Sequence, residues 1–172
     1  FDEPIYKATY DVSLTVDNGD VAISNGRQVS DTPAGAGKHT VTFERTPKMS
    51  SYLLALLVGD FVCREGASDG IPIRVCSTPD KRELTGFALE AASFAVQFYD
   101  TYFGIKYPFK KLDLIGVPDF SAGAMENIGA ITFRDRLLLL DPKDASMQAR
   151  MRISSVISHE IAHQWFGDLV TM

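Results

Sequence analysis

The sequence predicts an α+β protein, with β structure in the first third and two long helices set among short strands in the rest. Three observations carry this. Residues 8 to 16 alternate apolar and polar side chains, the period of a half-buried strand. Two later stretches repeat apolar residues at helical spacing, ending near Phe103 and Gly167. Short apolar runs bounded by turn residues lie between them.

The strand from Ala8 to Val16 sets Ala8, Tyr10, Val12, Leu14 and Val16 against Thr9, Asp11, Ser13 and Thr15. Asp17-Asn18-Gly19-Asp20 and Ser24-Asn25-Gly26 then supply turns, since Asn and Gly tolerate positive φ. Val41 and Phe43 alternate again, and Tyr52 to Val58 reads as a strand buried on both faces. Short strands joined by turns imply a sandwich-like antiparallel layer. Glu65 to Gly70 is the expected boundary, dividing the chain into residues 1–68 and 69–172. Beyond it, Ile71, Ile73 and Val75 form a strand, and Thr78-Pro79-Asp80 reads as a helix start. Leu84, Phe87, Ala88, Ala91, Phe94, Ala95, Phe98 and Tyr102 make a helical stripe that Gly104 stops. Leu112–Val117, 130–133 and 137–140 are expected strands, and Asp144 or Ser146 opens a helix that runs to Gly167.

Composition narrows the partners. With 172 residues, 45% hydrophobic and 23% charged, the chain can bury a core in one domain or two small ones. A net charge of -5 argues against nucleic acid or an anionic membrane as the main partner. No run reaches the roughly 18 apolar residues of a membrane span, and Phe1-Asp2-Glu3-Pro4 is no signal peptide. The chain does not begin with Met and stops just after an apolar helical segment, so both ends are expected to be cut. Cys63 and Cys76 are expected as two half-buried thiols on strands, with a disulfide as the second reading. They leave the compartment open.

"ISHEIAHQWFG", residues 157 to 167, carries chemistry. Residues four apart on a helix are turned by about 400°, so His159 and His163 share a face and can hold one zinc ion. Glu160, turned by about 100° from His159, stands where a general base would take a proton from an activated water. A core helix with two hydrogen-bonded histidines is the competing reading. Polar groups in so apolar a helix need partners either way.

A second signal is "FSAGAMENIGAITFRD", residues 120 to 135. Gly123 and Gly129 bracket Ala124-Met125-Glu126-Asn127-Ile128, ahead of a strand at Ala130. Glycines let backbone approach a ligand, and a strand edge offers main-chain hydrogen bonds to an extended peptide. Glu126 could pair with a cation, or could be a solvated turn residue.

Gly123-Ala124-Met125-Glu126-Asn127 followed by His159-Glu160-Ile161-Ala162-His163-Gln164-Trp165-Phe166-Gly167 resembles the aminopeptidase N family of zinc metallopeptidases. Phe1-Asp2-Glu3-Pro4, Gly59-Asp60-Phe61, Tyr102-Phe103-Gly104 and Tyr107-Pro108 match it in the same order, so the resemblance covers essentially the whole chain. It implies the end of an N-terminal antiparallel β domain, then the first part of a thermolysin-like catalytic domain. It implies an exopeptidase that removes single residues from peptides with a free N-terminus. Glu126 would bind the α-amino group, and Gly123, Ala124, Met125 and Asn127 would line the groove for the first residues. His159 and His163 would ligate zinc, with Glu160 as general base. Ile128 and Asp168 stand where the family often has an aromatic residue and asparagine, and Asp135 where it more often has Glu.

The same resemblance places a third zinc ligand and a catalytic tyrosine beyond Met172. A second amine-binding residue would precede Phe1. A catalytic zinc site generally uses three protein ligands plus water, so the isolated chain is expected to bind zinc weakly and to be inactive. The other readings are a folded, non-catalytic module and, within the family, a relative that also hydrolyses epoxides. Apolar surface around Trp165 and Phe166, left uncovered, is expected to drive self-association.

Overall fold

In the computed structural model, which describes residues 3–143 and 145–171, the first third is antiparallel β structure, as expected. Its strands are β1 (Lys7–Ala8), β2 (Ser13–Asp17), β3 (Val21–Ser24), β4 (Gln28–Gly35), β5 (Lys38–Phe43), β6 (Met49–Ser50) and β7 (Leu56–Gly59). β2, β5 and β4 form one sheet in that order, while β3 pairs with β7 and β1 with β6. Val12, Val16, Ala22, Val41 and Phe43 close a small core between these layers.

Two strand expectations change here. The run from Ala8 to Val16 breaks into β1 and β2, because residues 9–12 leave one pairing before entering the other. Tyr52 to Val58 is not a doubly buried strand: residues 51–53 turn as a 3-10 helix, and β7 starts at Leu56. Among the described residues only β3 pairs with β7, and Leu56 and Val58 are exposed while Leu53 and Ala55 are buried.

The rest of the chain builds β8 (Val62–Ser68), β9 (Ile71–Ser77), α1 (Gly86–Phe103), β10 (Leu112–Val117), β11 (Ala124–Met125), β12 (Ala130–Arg134) and α2 (Met147–His163). These strands form one sheet in the order β11-β12-β10-β9-β8. Its inner three strands run parallel, and each outer strand is antiparallel to its neighbour. Glu65 to Gly70 is thus the end of β8 and the turn into β9. The hairpin sets Cys63 directly opposite Cys76, and the two form a disulfide rather than free thiols. Their spacing in sequence could not reveal that register.

Side-chain alternation gives the sheet two different faces. Ile73, Val75, Leu112, Leu114, Ile131 and Phe133 point to one face. There they meet Ala88, Ala92 and Val96 of α1 and Ile153, Ile157 and Ile161 of α2. Cys76, Ile115 and Ala130 point the other way and pack against Ile23 and Ala55 of the β-rich third. A sheet covered on one face by helices and on the other by a β layer is the α+β arrangement that the sequence predicts.

The helices differ from expectation in detail. Thr78 precedes a 3-10 segment, Pro79–Thr85, and makes no side-chain cap; α1 starts only at Gly86. Its buried face is lined by small residues, so Phe94, Phe98 and Tyr102 stack on the outside, 70%, 49% and 71% exposed. Gly104 ends it in the left-handed region, at φ 66°. Residues 137–140 are not a strand: Asp135–Leu137 is a 3-10 turn, and the following leucines are buried without pairing. Ser146 caps α2, its hydroxyl accepting from the Ala149 N–H at 3.1 Å, while Asp144 lies outside the described residues. α2 ends at His163, not at Gly167.

Charged groups are buried at the seam between the sheet and the β-rich third. Asp113 accepts a bidentate pair of bonds from Arg74, at 2.8 and 2.6 Å, and one from Lys111 Nζ at 2.7 Å. The same ammonium donates to the carbonyls of Ser24 at 2.8 Å and Gly129 at 2.7 Å, so each of its protons is used. Burial would raise the Asp113 carboxyl, but Lys111 and Arg74 together hold it below its ordinary value. Burial pulls the Lys111 ammonium down, with Asp113 opposing.

Asp113→Ala strands two cations beside the core and is expected to cost about 3–5 kcal/mol in urea unfolding. A depressed carboxyl contributes its stability above its unfolded value, about pH 4, and loses it as pH falls through the lower folded value. Acid titration of stability in the wild type is therefore expected to show a loss below about pH 4 that Asp113→Ala lacks.

Candidate active site

His159 and His163 lie on one face at the last turn of α2, the first exposed and the second half-buried. Their Nε2 atoms stand 3.1 Å apart, with the rings at 86° to each other. The Phe166 carbonyl accepts from His163 Nδ1 at 2.9 Å, which leaves Nε2 of that ring free to coordinate. Two nitrogens each about 2.0–2.1 Å from a tetrahedral ion would be roughly 3.3 Å apart, so the pair fits two corners of a metal site. Among the described residues, no group of three or more His, Cys, Asp and Glu could hold a metal ion.

Glu160 is buried, and its Oε2 has no hydrogen-bond partner. Burial pushes its carboxyl up to about 7, the charge of Glu126 adds to this, and His163 opposes it. A carboxyl in that range can both accept and return a proton near neutral pH.

The segment between β10 and β12 faces this helix end. Ala124 and Met125 form β11, the outermost strand of the sheet, opposite Phe133 and Thr132. Among the described residues no strand pairs with its other edge, the kind of edge an extended chain can join. Gly123 has ordinary room: a Cβ there would touch only Leu137, at 3.4 Å. Gly129 is different, since its φ is +64° and a Cβ would lie 3.0 Å from the Asn25 carbonyl.

From Glu126 to Gly129 all four backbone carbonyls and the Gly129 N–H are hydrogen-bonded. The Asn127 carbonyl accepts from Ala130 N–H at 3.0 Å, and Asn127 Oδ1 accepts from the Thr132 hydroxyl at 3.1 Å. Asn25 donates to the carbonyls of Ile128 and Leu53, both at 2.8 Å, and accepts from Ala55 N–H at 2.9 Å. Asn25, expected as a turn residue, is thus a buried tie between the β-rich third and the loop. Gly26 beside it packs against the Glu44 backbone, where a Cβ would fall 2.2 Å from the carbonyl oxygen.

Gln164, fully buried just after α2, ties the loop to the helix. Its Oε1 accepts from Gly129 N–H at 3.0 Å and faces the Tyr107 hydroxyl at 3.1 Å. Its Nε2 donates to the Glu126 carbonyl at 3.2 Å and to Asp168 Oδ2 at 2.8 Å. The other Asp168 oxygen is buried without a partner. Burial, then Glu126 and Glu160, push the Asp168 carboxyl up to about 9, against a small pull from Lys7. The Tyr52 hydroxyl is raised by burial and by the charges of Glu126 and Asp168, so the β-rich third reaches the same cluster.

The structure thus brings His159, Glu160 and His163 together with the loop bearing Glu126, which the sequence singled out. Asn25, Lys111, Gln164 and Asp168 were not recognised as a supporting network. Trp165, expected to lie uncovered, is buried, its Nε1 donating to the Ile105 carbonyl at 2.9 Å; Phe166 is exposed. An Asn, a Lys and a Gln carry no periodic signal, and nothing in the sequence beside Asn25, Lys111 or Gln164 marks them as buried.

Known proteins resemble the chain along its whole length. Residues 87–172 match the model of the Peptidase family M1 domain, and residues 1–53 that of the Peptidase M1 N-terminal domain. Over its full length the chain is 47% identical to the Puromycin-sensitive aminopeptidase of Caenorhabditis elegans and 45% to Endoplasmic reticulum aminopeptidase 2 of Homo sapiens. It is 42% identical to an Aminopeptidase N of Acetobacter pasteurianus. The chain spans 18% of the length of each of the first two and 49% of the third.

The half-satisfied Asp168 gives a measurable signature. A carboxyl raised when folded binds its proton more tightly in the native state, so stability declines as pH rises from 3.8 towards about 9. Asp168→Asn keeps an acceptor for Gln164 without a charge. It is expected to add about 1–3 kcal/mol at pH 7 and to flatten that decline, read by urea unfolding across pH.

Proposed function

The chain belongs to peptidase family M1, and on that premise we propose that it carries part of the site of a zinc-dependent aminopeptidase. The observation that supports this most strongly is the His159–His163 pair, 3.1 Å apart at Nε2, beside the buried, unpartnered Glu160 carboxyl. The residues divide as the end of an N-terminal β domain, 1–68, and the start of a thermolysin-like catalytic domain, 69–172. The two matched stretches, 1–53 and 87–172, lie on either side of that division.

In this reading His159 and His163 are two ligands of one zinc ion, with a third supplied by chain beyond residue 172. A zinc ion held there would supply Lewis-acid polarisation and would acidify a water molecule. Glu160 takes the proton from the attacking water at its unpartnered oxygen and returns it to the leaving amine. Glu126 holds the α-ammonium of the substrate, so only a peptide with a free N-terminus is positioned for cleavage. Gly123, Ala124, Met125 and Asn127 line the groove, and the free edge of β11 pairs with the first residues of the peptide.

Two ligands alone hold zinc weakly, so the second reading, for the isolated chain, is a folded, non-catalytic module. The apolar surface formed by Phe94, Phe98, Tyr102 and Phe166 gives such a module a route to self-association.

In the full-length protein, Glu160→Gln is expected to lower kcat on aminoacyl arylamides by about 10²–10⁴-fold while zinc content is kept. Unchanged turnover by that variant sinks the assignment. The isolated chain is expected to show no turnover. Stoichiometric zinc with peptidase activity in it would overturn the modular reading.

A further inference from the structure

We propose that Gln164 is a positioning residue that sets the spacing between the amine-binding carboxylate and the metal-binding histidines. The inference rests on the reading of Glu126 given above. α2 ends at His163, and Gln164 is the next residue, so its backbone moves with the ligand pair. Its amide spans to both ends of the Glu126–Gly129 turn, donating to the Glu126 carbonyl at 3.2 Å and accepting from Gly129 N–H at 3.0 Å. Among the described residues, no other side-chain hydrogen bond joins that turn to the motif helix or to the residue that follows it. Asn25 and Lys111 act on the carbonyls of Ile128 and Gly129 from the β-rich third and the start of β10, and Asn127 is tied to Thr132 and Leu54.

The chemistry selects glutamine. Oε1 faces two donors, Gly129 N–H and the Tyr107 hydroxyl, while Nε2 faces two acceptors, the Glu126 carbonyl and Asp168 Oδ2. A glutamate of the same shape, even protonated, brings at most one O–H donor where the amide brings two N–H donors. A methionine would fill the space and make none of the bonds. The amide is fully buried, so each lost bond leaves a buried group unpaired.

An exopeptidase of this kind measures one residue between the ammonium and the bond it cuts. Gln164 fixes that measure without touching substrate. Its loss therefore weakens recognition of the amine more than binding at the metal. A displacement of about 1 Å in such a site changes rates by around 10²-fold.

The test uses the full-length zinc enzyme and two probes, leucine hydroxamate and its des-amino analogue, 4-methylpentanohydroxamate. Both reach the metal, and only the first carries the amine. The ratio of their inhibition constants reads amine recognition alone. For Gln164→Met the preference for leucine hydroxamate is expected to fall by about tenfold or more, with the des-amino constant and zinc content unchanged. Gln164→Glu keeps the volume and is expected to lose the same preference, which keeps the question answerable if the methionine variant does not fold. Tyr107→Phe removes a neighbour of Oε1 that does not touch the loop, and is expected to leave the ratio intact. Equal weakening of both probes, zinc loss, or an unchanged ratio in Gln164→Glu overturns the positioning role. A wild-type enzyme with no preference for the amine instead overturns the reading of Glu126.

Discussion

The backbone from Glu126 to Gly129 is held by hydrogen bonds from three directions, and the arrangement of the candidate site depends on that constraint. Asn25 reaches it from the β-rich third, Lys111 from the start of β10, and Gln164 from the end of α2. A buried carbonyl or N–H left without a partner costs about 1–3 kcal/mol, so a loop at the junction of three elements must find partners in all of them. Gly129 makes this possible, because its left-handed backbone and missing Cβ let the chain pass against Asn25 and Lys111.

That junction follows from how the sheet buries its two faces. Helices cover one face and the β-rich third covers the other, so the sheet edge at β11 is where all three layers come within reach of one another. α2 delivers its last turn to the same edge. A free strand edge, a helix end with two histidines and a buried carboxyl are therefore products of one packing arrangement. In peptidase family M1 the same segments recur in longer chains, of which this one spans a part.

Buried charge is treated in two ways. Lys111, Asp113 and Arg74 satisfy one another, and Asp113 stays ionised because two cations outweigh its burial. Glu160 and Asp168 each keep an oxygen with no partner, and both are pushed up by burial and by neighbouring acids. The first set ties the β-rich third to the sheet. The second sits around the histidines, where an unmet hydrogen-bonding capacity is what proton transfer and cation binding require.

Much of this was legible before the structure. The i, i+4 histidines and adjacent glutamate fix a shared helix face by helix geometry alone, and the alternating and helical periods fix the α+β class. Those are local properties, decided within a turn or a strand. Tertiary structure alone decided which strands pair, and hence that Cys63 meets Cys76 in a disulfide. It also decided that Phe94, Phe98 and Tyr102 face outward, and that the run of four leucines is buried without pairing. It alone recruited Asn25, Lys111 and Gln164, whose partners lie 103, 18 and 35 residues away. Their role is to satisfy backbone groups of a distant loop, and a hydrogen bond across that separation leaves no pattern in the sequence on either side of it.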